Sequence, residues 1–337
     1  MPTSSLAAPP PWLSTAVDGL LELSVVGSFS RIGPAVRSRL DAWSGPPADA
    51  LRGRTVLITG PTSGLGRSTA MTLAGLGARI VLVGRSASKL ADLRADLAAS
   101  TGDDRFATIA ADLSSLDGVR GVVEEVLRTE ERLDVLVDNA GAIYPDRTLA
   151  ADGLEATFAL MVAGPFALTA GLLPLLRTSG GRVIAVTSGG MYTQRLDLDD
   201  LQSESGPWSG ARAYARAKRA QTALIREWGR RFAGSGVTFT AMHPGWADTP
   251  GLAESLPAFH ARMKPLLRTV EEGADTIVWL AAHPEASGWT GLLFLDRRSR
   301  PFDRAPWTRL SAQDRRRLWD RVVAATGSRD PSLPDEG

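Results

Sequence analysis

The chain is 337 residues long, enough for one large domain or two ordinary ones. Hydrophobic residues make up 44% and charged residues 22%, a composition that excludes disordered, collagen-like and polytopic membrane proteins. Thirty-eight basic residues against 37 acidic ones leave a formal charge of +1, so no global field draws nucleic acid or anionic lipid, and neither is an expected partner. The absence of cysteine excludes disulfides, thiolate metal centres and a cysteine nucleophile; a cytoplasmic location is expected.

The opening residues lack a basic stretch and a small-residue cleavage site, and Asp18 and Glu22 interrupt the longest apolar stretch there. No secretory leader is expected. No segment is read as reaching the roughly 18 apolar residues of a membrane span. Residues 1–50 form an N-terminal extension with an amphipathic run over 16–43, closed by the breaker Ser44-Gly45-Pro46-Pro47. It is expected to be one or two helices, read either as packed on the main domain or as a partner-binding arm.

Residues 51–300 carry the main domain. Short β-branched runs at 55–59, 79–83, 106–110, 133–137, 182–187, 237–242 and 292–295 alternate with stretches of helical period. Strands alternating with helices predict an α/β fold with a doubly wound, parallel, seven-stranded sheet. The runs are apolar throughout, as a sheet covered on both faces requires. Residues 301–337 add one charged helix near 311–325 and a polar tail.

The first predicted strand runs into Thr59-Gly60-Pro61-Thr62-Ser63-Gly64-Leu65-Gly66 and then into a helical pattern. This is the Rossmann arrangement of strand, glycine turn and helix: Gly60 permits the turn, Gly64 lets backbone approach a pyrophosphate, and Gly66 allows close helix packing. Dinucleotide binding follows from that context. The second strand ends in Val83-Gly84-Arg85, with a guanidinium where an NAD-selective site carries a carboxylate, so the expected cofactor is NADP(H). Arg67 adds charge nearby.

Hydride transfer at a carbonyl needs a proton donor or acceptor at the oxygen. Tyr214 offers a phenol, and Lys218, one helical turn along the same face, offers the cation that would lower its pKa. Lys218 is one of only three lysines among 38 basic residues; its compact ammonium suits this role better than a guanidinium.

With the glycine turn in its form TGxxxGxG, the chain resembles the short-chain dehydrogenase/reductase family. Asp112-Leu113 after the third strand, Asn139-Ala140-Gly141 after the fourth, and Tyr214 to Lys218 appear in that family's order. The resemblance implies an NADP-dependent oxidoreductase acting on CH-OH groups. Tyr214 is then the general acid/base, Lys218 its partner, and Ser188 the hydroxyl that bonds the substrate oxygen, with Thr187 the runner-up. It also implies that Thr59, Gly60, Thr62, Ser63, Gly64, Leu65 and Gly66 hold the cofactor, together with Arg85, Asp112, Leu113, Asn139, Ala140, Gly141, Tyr214 and Lys218. Pro244 and Gly245 border the nicotinamide, and Thr249 bonds its carboxamide or the phosphates. His243, with no second histidine near it, reads as a structural loop residue rather than a base or metal ligand, and no metal is expected. The chain resembles one subgroup of the family closely, and that subgroup also carries an N-terminal extension.

The sequence departs from the family at Phe158-Ala-Leu-Met161-Val-Ala-Gly164, where methionine replaces the usual asparagine of a proton relay; a thioether cannot donate a hydrogen bond. Slower proton exchange is expected. Trp208, Trp246 and the apolar 252–257 stretch suggest a small hydrophobic alcohol or carbonyl as substrate, and 196–210 reads as a substrate-side loop. The alternative is a catalytically weakened NADPH-binding sensor or scaffold. A homo-oligomer is possible through the helix carrying Tyr214 and Lys218, unless the N-terminal extension covers it.

Overall fold

The computed structural model describes residues 11–332. Seven parallel strands, β1 (Thr55–Thr59), β2 (Arg79–Gly84), β3 (Phe106–Ala110), β4 (Val135–Asp138), β5 (Arg182–Val186), β6 (Thr238–Met242) and β7 (Leu292–Leu295), lie in the order β3-β2-β1-β4-β5-β6-β7. The doubly wound sheet expected from the sequence is present, and it has an eighth strand. β8 (Arg298–Arg300) returns antiparallel to β7 through Asp296 and Arg297, both at positive φ, the backbone of a tight hairpin turn. Three residues reading Arg-Ser-Arg carry no apolar run, so β8 had no signature to read.

Strand alternation sends Leu57, Leu136, Val183 and Ala185 into one core layer and Val56, Ile58, Val137 and Ile184 into the other. The first layer lies under the helices Leu116–Thr129, Gly164–Ser179 and Gly210–Arg231; the second lies under Gly64–Gly75, Ala87–Thr101 and Val270–Ala282. Chain order reverses between β1 and β4, the switch point at which such sheets bind ligands beyond their carboxyl ends.

The expectation that no segment is apolar enough for a membrane span is corrected here. The helical stretch Ala156–Ser179 spans 24 residues with mean hydropathy 1.9, long and apolar enough to cross a membrane. No charge interrupts it before Arg177; its alanines, glycines and threonines made it look less apolar than it is. In this fold Phe158, Phe166, Leu172 and Leu176 along it are buried in the core.

The N-terminal residues form three helices, Pro11–Leu23, Val25–Phe29 and Ile32–Leu40, rather than one or two. They pack onto the main body through a buried ionic network. Arg37, fully buried, donates to Asp18 (2.7 Å), to Glu22 (2.8 Å) and to Asp296 in the β7–β8 turn. Asp18 also accepts from Arg300 (2.7 Å). A buried guanidinium is tolerable only when carboxylates surround it in this way.

The C-terminal helix Ala312–Thr326 starts at a capping box formed by Ser311 and Asp314. Its Trp319, fully buried, packs edge-on against Trp228 (4.7 Å between centroids) and Phe166 (4.9 Å). This C-terminal helix lies against the Gly210–Arg231 helix by way of Trp228.

Candidate active site

The glycine turn leaves β1 at Thr59 and enters the Gly64–Gly75 helix. A Cβ on Gly66 would stand 2.3 Å from the Gly60 carbonyl, so only glycine fits there. Thr59 turns its side chain to the neighbouring strand end. Its buried hydroxyl accepts from the amides of Asn139 (2.9 Å) and Ala140 (3.0 Å), while Asn139 Nδ2 donates to the carbonyls of Thr59 (2.9 Å) and Gly60 (3.0 Å). Thr59 and Asn139 thus clamp the ends of β1 and β4 together and hold the turn in shape.

Ser63 is exposed, Thr62 is half-buried, and the first helical turn carries neither a side-chain cap nor an acidic residue. Uncapped amides at a helix start suit a phosphate. Leu65 packs toward Gly273, where a Cβ would meet it at 2.8 Å. Thr249 caps the short Pro250–Ser255 helix by accepting from Leu252 N (3.2 Å), and it lies across the turn, 3.4 Å from a Cβ on Gly64. That places it beside the glycine turn.

Arg85 is exposed and forms no ion pair among the described residues, whereas Arg67 is matched by Asp96 at 3.0 Å. Of the two cations, Arg85 is the one left for a phosphate. Asp112 is exposed at the end of β3 and accepts from Ser114. Leu113 is buried in the core, so a contact with a ligand from this residue falls to its backbone. These features fit a phosphate-bearing dinucleotide.

The catalytic candidates converge beyond the ends of β4 and β5. Ser188 follows β5 and caps the turn Gly189–Thr193, its Oγ accepting from Gly190 N (3.2 Å). Tyr214 and Lys218 project from the Gly210–Arg231 helix, with Lys218 Nζ 5.8 Å from the centre of the Tyr214 ring. Burial raises the phenol above its ordinary pKa, and a hydrogen bond to Ser188 opposes that rise. The expected lowering by the lysine is not what the structure shows.

Lys218 is buried and donates to Val186 O (2.7 Å) and Gln221 Oε1 (3.2 Å). Of its three donors one remains for a ligand. Burial pulls the ammonium down to about 8, with the Asp138 carboxylate opposing.

Asp138 and Gln221 were not picked out from the sequence. Asp138 ends β4, is fully enclosed, and is pushed up to about 7 by burial, while Lys218 and Thr169 hold it back. Its Oδ1 and the Gln221 Nε2 have no partner. A carboxylate at the end of the apolar run Val135-Leu-Val-Asp138 was the available signal. Met161 is fully buried at the centre of a wide helical turn, Ala159–Ala163, a deviation common at functional sites. A Cβ on Gly141 would stand 3.2 Å from its sulfur and 3.6 Å from Lys218 Nζ, so the thioether lies close to the lysine.

Thr187 is not available as the substrate hydroxyl. It is buried and donates to the Lys218 carbonyl (3.0 Å). Pro244 and Gly245 stand half-buried after β6, and His243 before them is enclosed, with both ring nitrogens unpartnered. Burial and nearby arginines, Arg268 first, hold it well below the ordinary histidine pKa. A neutral, enclosed imidazole is a packing group, and no cluster of potential metal ligands occurs among the described residues. The 196–210 loop packs beside the 143–155 segment, with Trp208 Nε1 donating to Tyr144 O (3.3 Å) and Gln202 accepting from Glu155 N (2.8 Å).

Comparison with known proteins agrees with this geometry. The family description "short chain dehydrogenase" matches residues 54–199. The bovine (Bos taurus) protein "Dehydrogenase/reductase SDR family member 12" is 41% identical over 251 residues, 74% of this chain and 78% of its own. Mouse (Mus musculus) "Retinol dehydrogenase 14" is 36% identical over 315 residues, 88% and 91% of the two chains. Among solved structures, the Pseudomonas aeruginosa RhlG/NADP active-site complex superimposes with a TM-score of 0.60 at 29% identity, covering 73% of this chain and 96% of that one. With the expected motifs at the switch point of the expected sheet, the chain belongs to the short-chain dehydrogenase/reductase family and is an oxidoreductase of that type.

Proposed function

We propose that this oxidoreductase uses NADP(H) and exchanges a hydride with a small hydrophobic alcohol or carbonyl compound, with Tyr214 as the general acid/base. The carrying observation is the placement of buried Lys218 one turn along the helix from Tyr214, its Nζ 5.8 Å from the Tyr214 ring centre, beside the turn that Ser188 caps and the clamped glycine turn. When bound, the reduced nicotinamide supplies the hydride to the carbonyl carbon. Ser188 and Tyr214 hold the carbonyl oxygen, and the Tyr214 hydroxyl gives its proton to that oxygen as negative charge develops. The phenolate left behind regains its proton from solvent, with the Lys218 ammonium one helical turn away.

NADP(H) in preference to NAD(H) is supported by the unpaired Arg85 guanidinium at the end of β2. The RhlG structure from Pseudomonas aeruginosa is a complex with the same phosphorylated cofactor, NADP. Trp246, half-buried and edge-on to Phe259 (5.3 Å), supports an apolar substrate.

Tyr214→Phe is expected to abolish NADPH-dependent reduction across a panel of aldehydes and ketones while changing NADPH affinity less than about threefold, since the phosphate contacts remain. Unchanged turnover in this variant would overturn the assignment. Met161 favours a second reading, a nucleotide-binding sensor with weakened catalysis, because both its sulfur and Lys218 Nζ border Gly141 and a thioether cannot donate a proton there. NADPH binding by the wild-type protein without oxidation by any member of the panel is the result that reading predicts.

A further inference from the structure

Phe29 ends the second N-terminal helix, Val25–Phe29, and only 4% of it is exposed. Its ring lies against the residue that follows Ser188: a Cβ on Gly189 would stand 2.3 Å from Phe29 Cε2. Its carbonyl lies against the turn that follows β6. Trp246 N donates to Phe29 O (2.7 Å), and a Cβ on Gly245, which has φ +70°, would stand 2.5 Å from the same oxygen. One residue therefore touches the serine turn with its side chain and the Pro244–Gly245 turn with its backbone. At both contacts the partner is a glycine that no other residue could replace without displacement.

The surrounding groups fix this residue from every side. His243 lies 4.8 Å from the Phe29 ring and 5.9 Å from Tyr192, which belongs to the turn that Ser188 caps. Arg268, buried, donates to Phe29 O (2.9 Å), Ser28 O (2.7 Å) and Asp296 (2.6 Å). Arg37 ties the same Asp296 to the N-terminal helices. The carboxylate of the β7–β8 turn thus latches the extension in place, and two buried cations share it.

We propose that Phe29 is a positioning residue of the active site: held by the Arg37–Asp296–Arg268 latch, it sets the Ser188 turn and the Pro244–Gly245 turn at a fixed spacing. The N-terminal segment then belongs to the catalytic apparatus rather than being an appendage. The inference rests on the reading of Ser188 and Tyr214 as substrate-orienting groups. Catalytic geometry is sensitive to displacements of about 1 Å, and the two glycines leave no slack for a change at Phe29.

The test uses the full chain with NADPH and 4-nitrobenzaldehyde as the probe carbonyl. Gly189→Ala drives a methyl into the Phe29 ring and is expected to lower kcat/KM about tenfold or more. Phe29→Ala is expected to lower kcat by about tenfold while NADPH affinity changes less than about threefold, with Phe29→Leu intermediate and serving in its place if the alanine variant does not fold. In the double variant the smaller side chain makes room for the new methyl, so Gly189→Ala/Phe29→Ala is expected to be more active than Gly189→Ala alone.

A Phe29→Ala protein that melts earlier but keeps kcat and KM at 25 °C overturns the proposal, as does a double variant whose losses simply add. Tyr214→Phe in the same assay separates the two ideas. If it retains turnover, the reading of the site itself fails; if it is inactive while Phe29→Ala is unimpaired, only the role of Phe29 fails. The emission of bound NADPH gives a readout that needs no turnover. A shifted emission maximum in Phe29→Ala supports the proposal, and an unshifted one contradicts it.

Discussion

Lys218 keeps its charge in a place that disfavours it. Burial pulls its pKa down to about 8, and the Asp138 carboxyl, itself pushed up to about 7, opposes this. The sign of a substitution follows directly. Removing the carboxylate removes a stabiliser of the ammonium, so in Asp138→Asn the lysine loses its proton at lower pH. The alkaline limb of kcat/KM against pH is expected to move down by roughly one pH unit; an unmoved limb would show that Asp138 does not act on the lysine. The stability of the variant changes with the opposite sense. The folded wild type holds a proton on Asp138 that the unfolded chain loses above about pH 4, so its stability falls as pH rises from there toward 7, and the asparagine variant is spared that loss. At the other end of the site, Arg85 faces solvent with no carboxylate partner among the described residues. Arg85→Ala is expected to weaken NADPH binding by about ten- to a hundredfold and to leave NADH binding nearly unchanged, as loss of a charge-assisted contact to one phosphate requires. Equal effects on both cofactors would contradict the assignment.

Individual elements differ in how visibly the sequence announces them. The seven parallel strands were legible because each is an apolar run between helices, and the glycine turn because Gly60, Gly64 and Gly66 follow β1 directly. The pairing of Tyr214 and Lys218 on one helix was legible from their spacing. The clamp role of Thr59 was not, because it depends on Asn139, 80 residues away, arriving at the adjacent strand end. Nor was the raised pKa of Tyr214, which comes from enclosure by elements distant in the chain. The C-terminal helix shows how an amphipathic segment gains its stability from packing. Trp319 fills the space between Phe166 and Trp228, with Arg231 over its ring at 4.4 Å. Trp319→Ala is expected to cost about 3–5 kcal/mol in chemical denaturation. KM for the probe carbonyl should stay within about twofold, since the contact lies outside the site; a loss below about 1 kcal/mol would mean that the helix is not docked in this way.

At the scale of the whole molecule, the described N-terminal helices and the C-terminal helix both fold back onto the sheet. The N-terminal helices reach the β7–β8 turn through Arg37 and Asp296, 259 residues apart, and no periodicity within either segment could have signalled that meeting. The extension read as amphipathic is held mainly by buried charge, which is why its three helices and its approach to Ser188 emerged only in three dimensions. What the proposed function asks of these parts is a single chemical step at Tyr214. The direct measurement is deuterium transfer from NADPH labelled at nicotinamide C4 into the alcohol formed from a probe aldehyde, followed in the wild type and in Tyr214→Phe. Deuterium in the wild-type product, and its loss in the phenylalanine variant with NADPH still bound, is the expected result. A variant that transfers deuterium as fast as the wild type would contradict it.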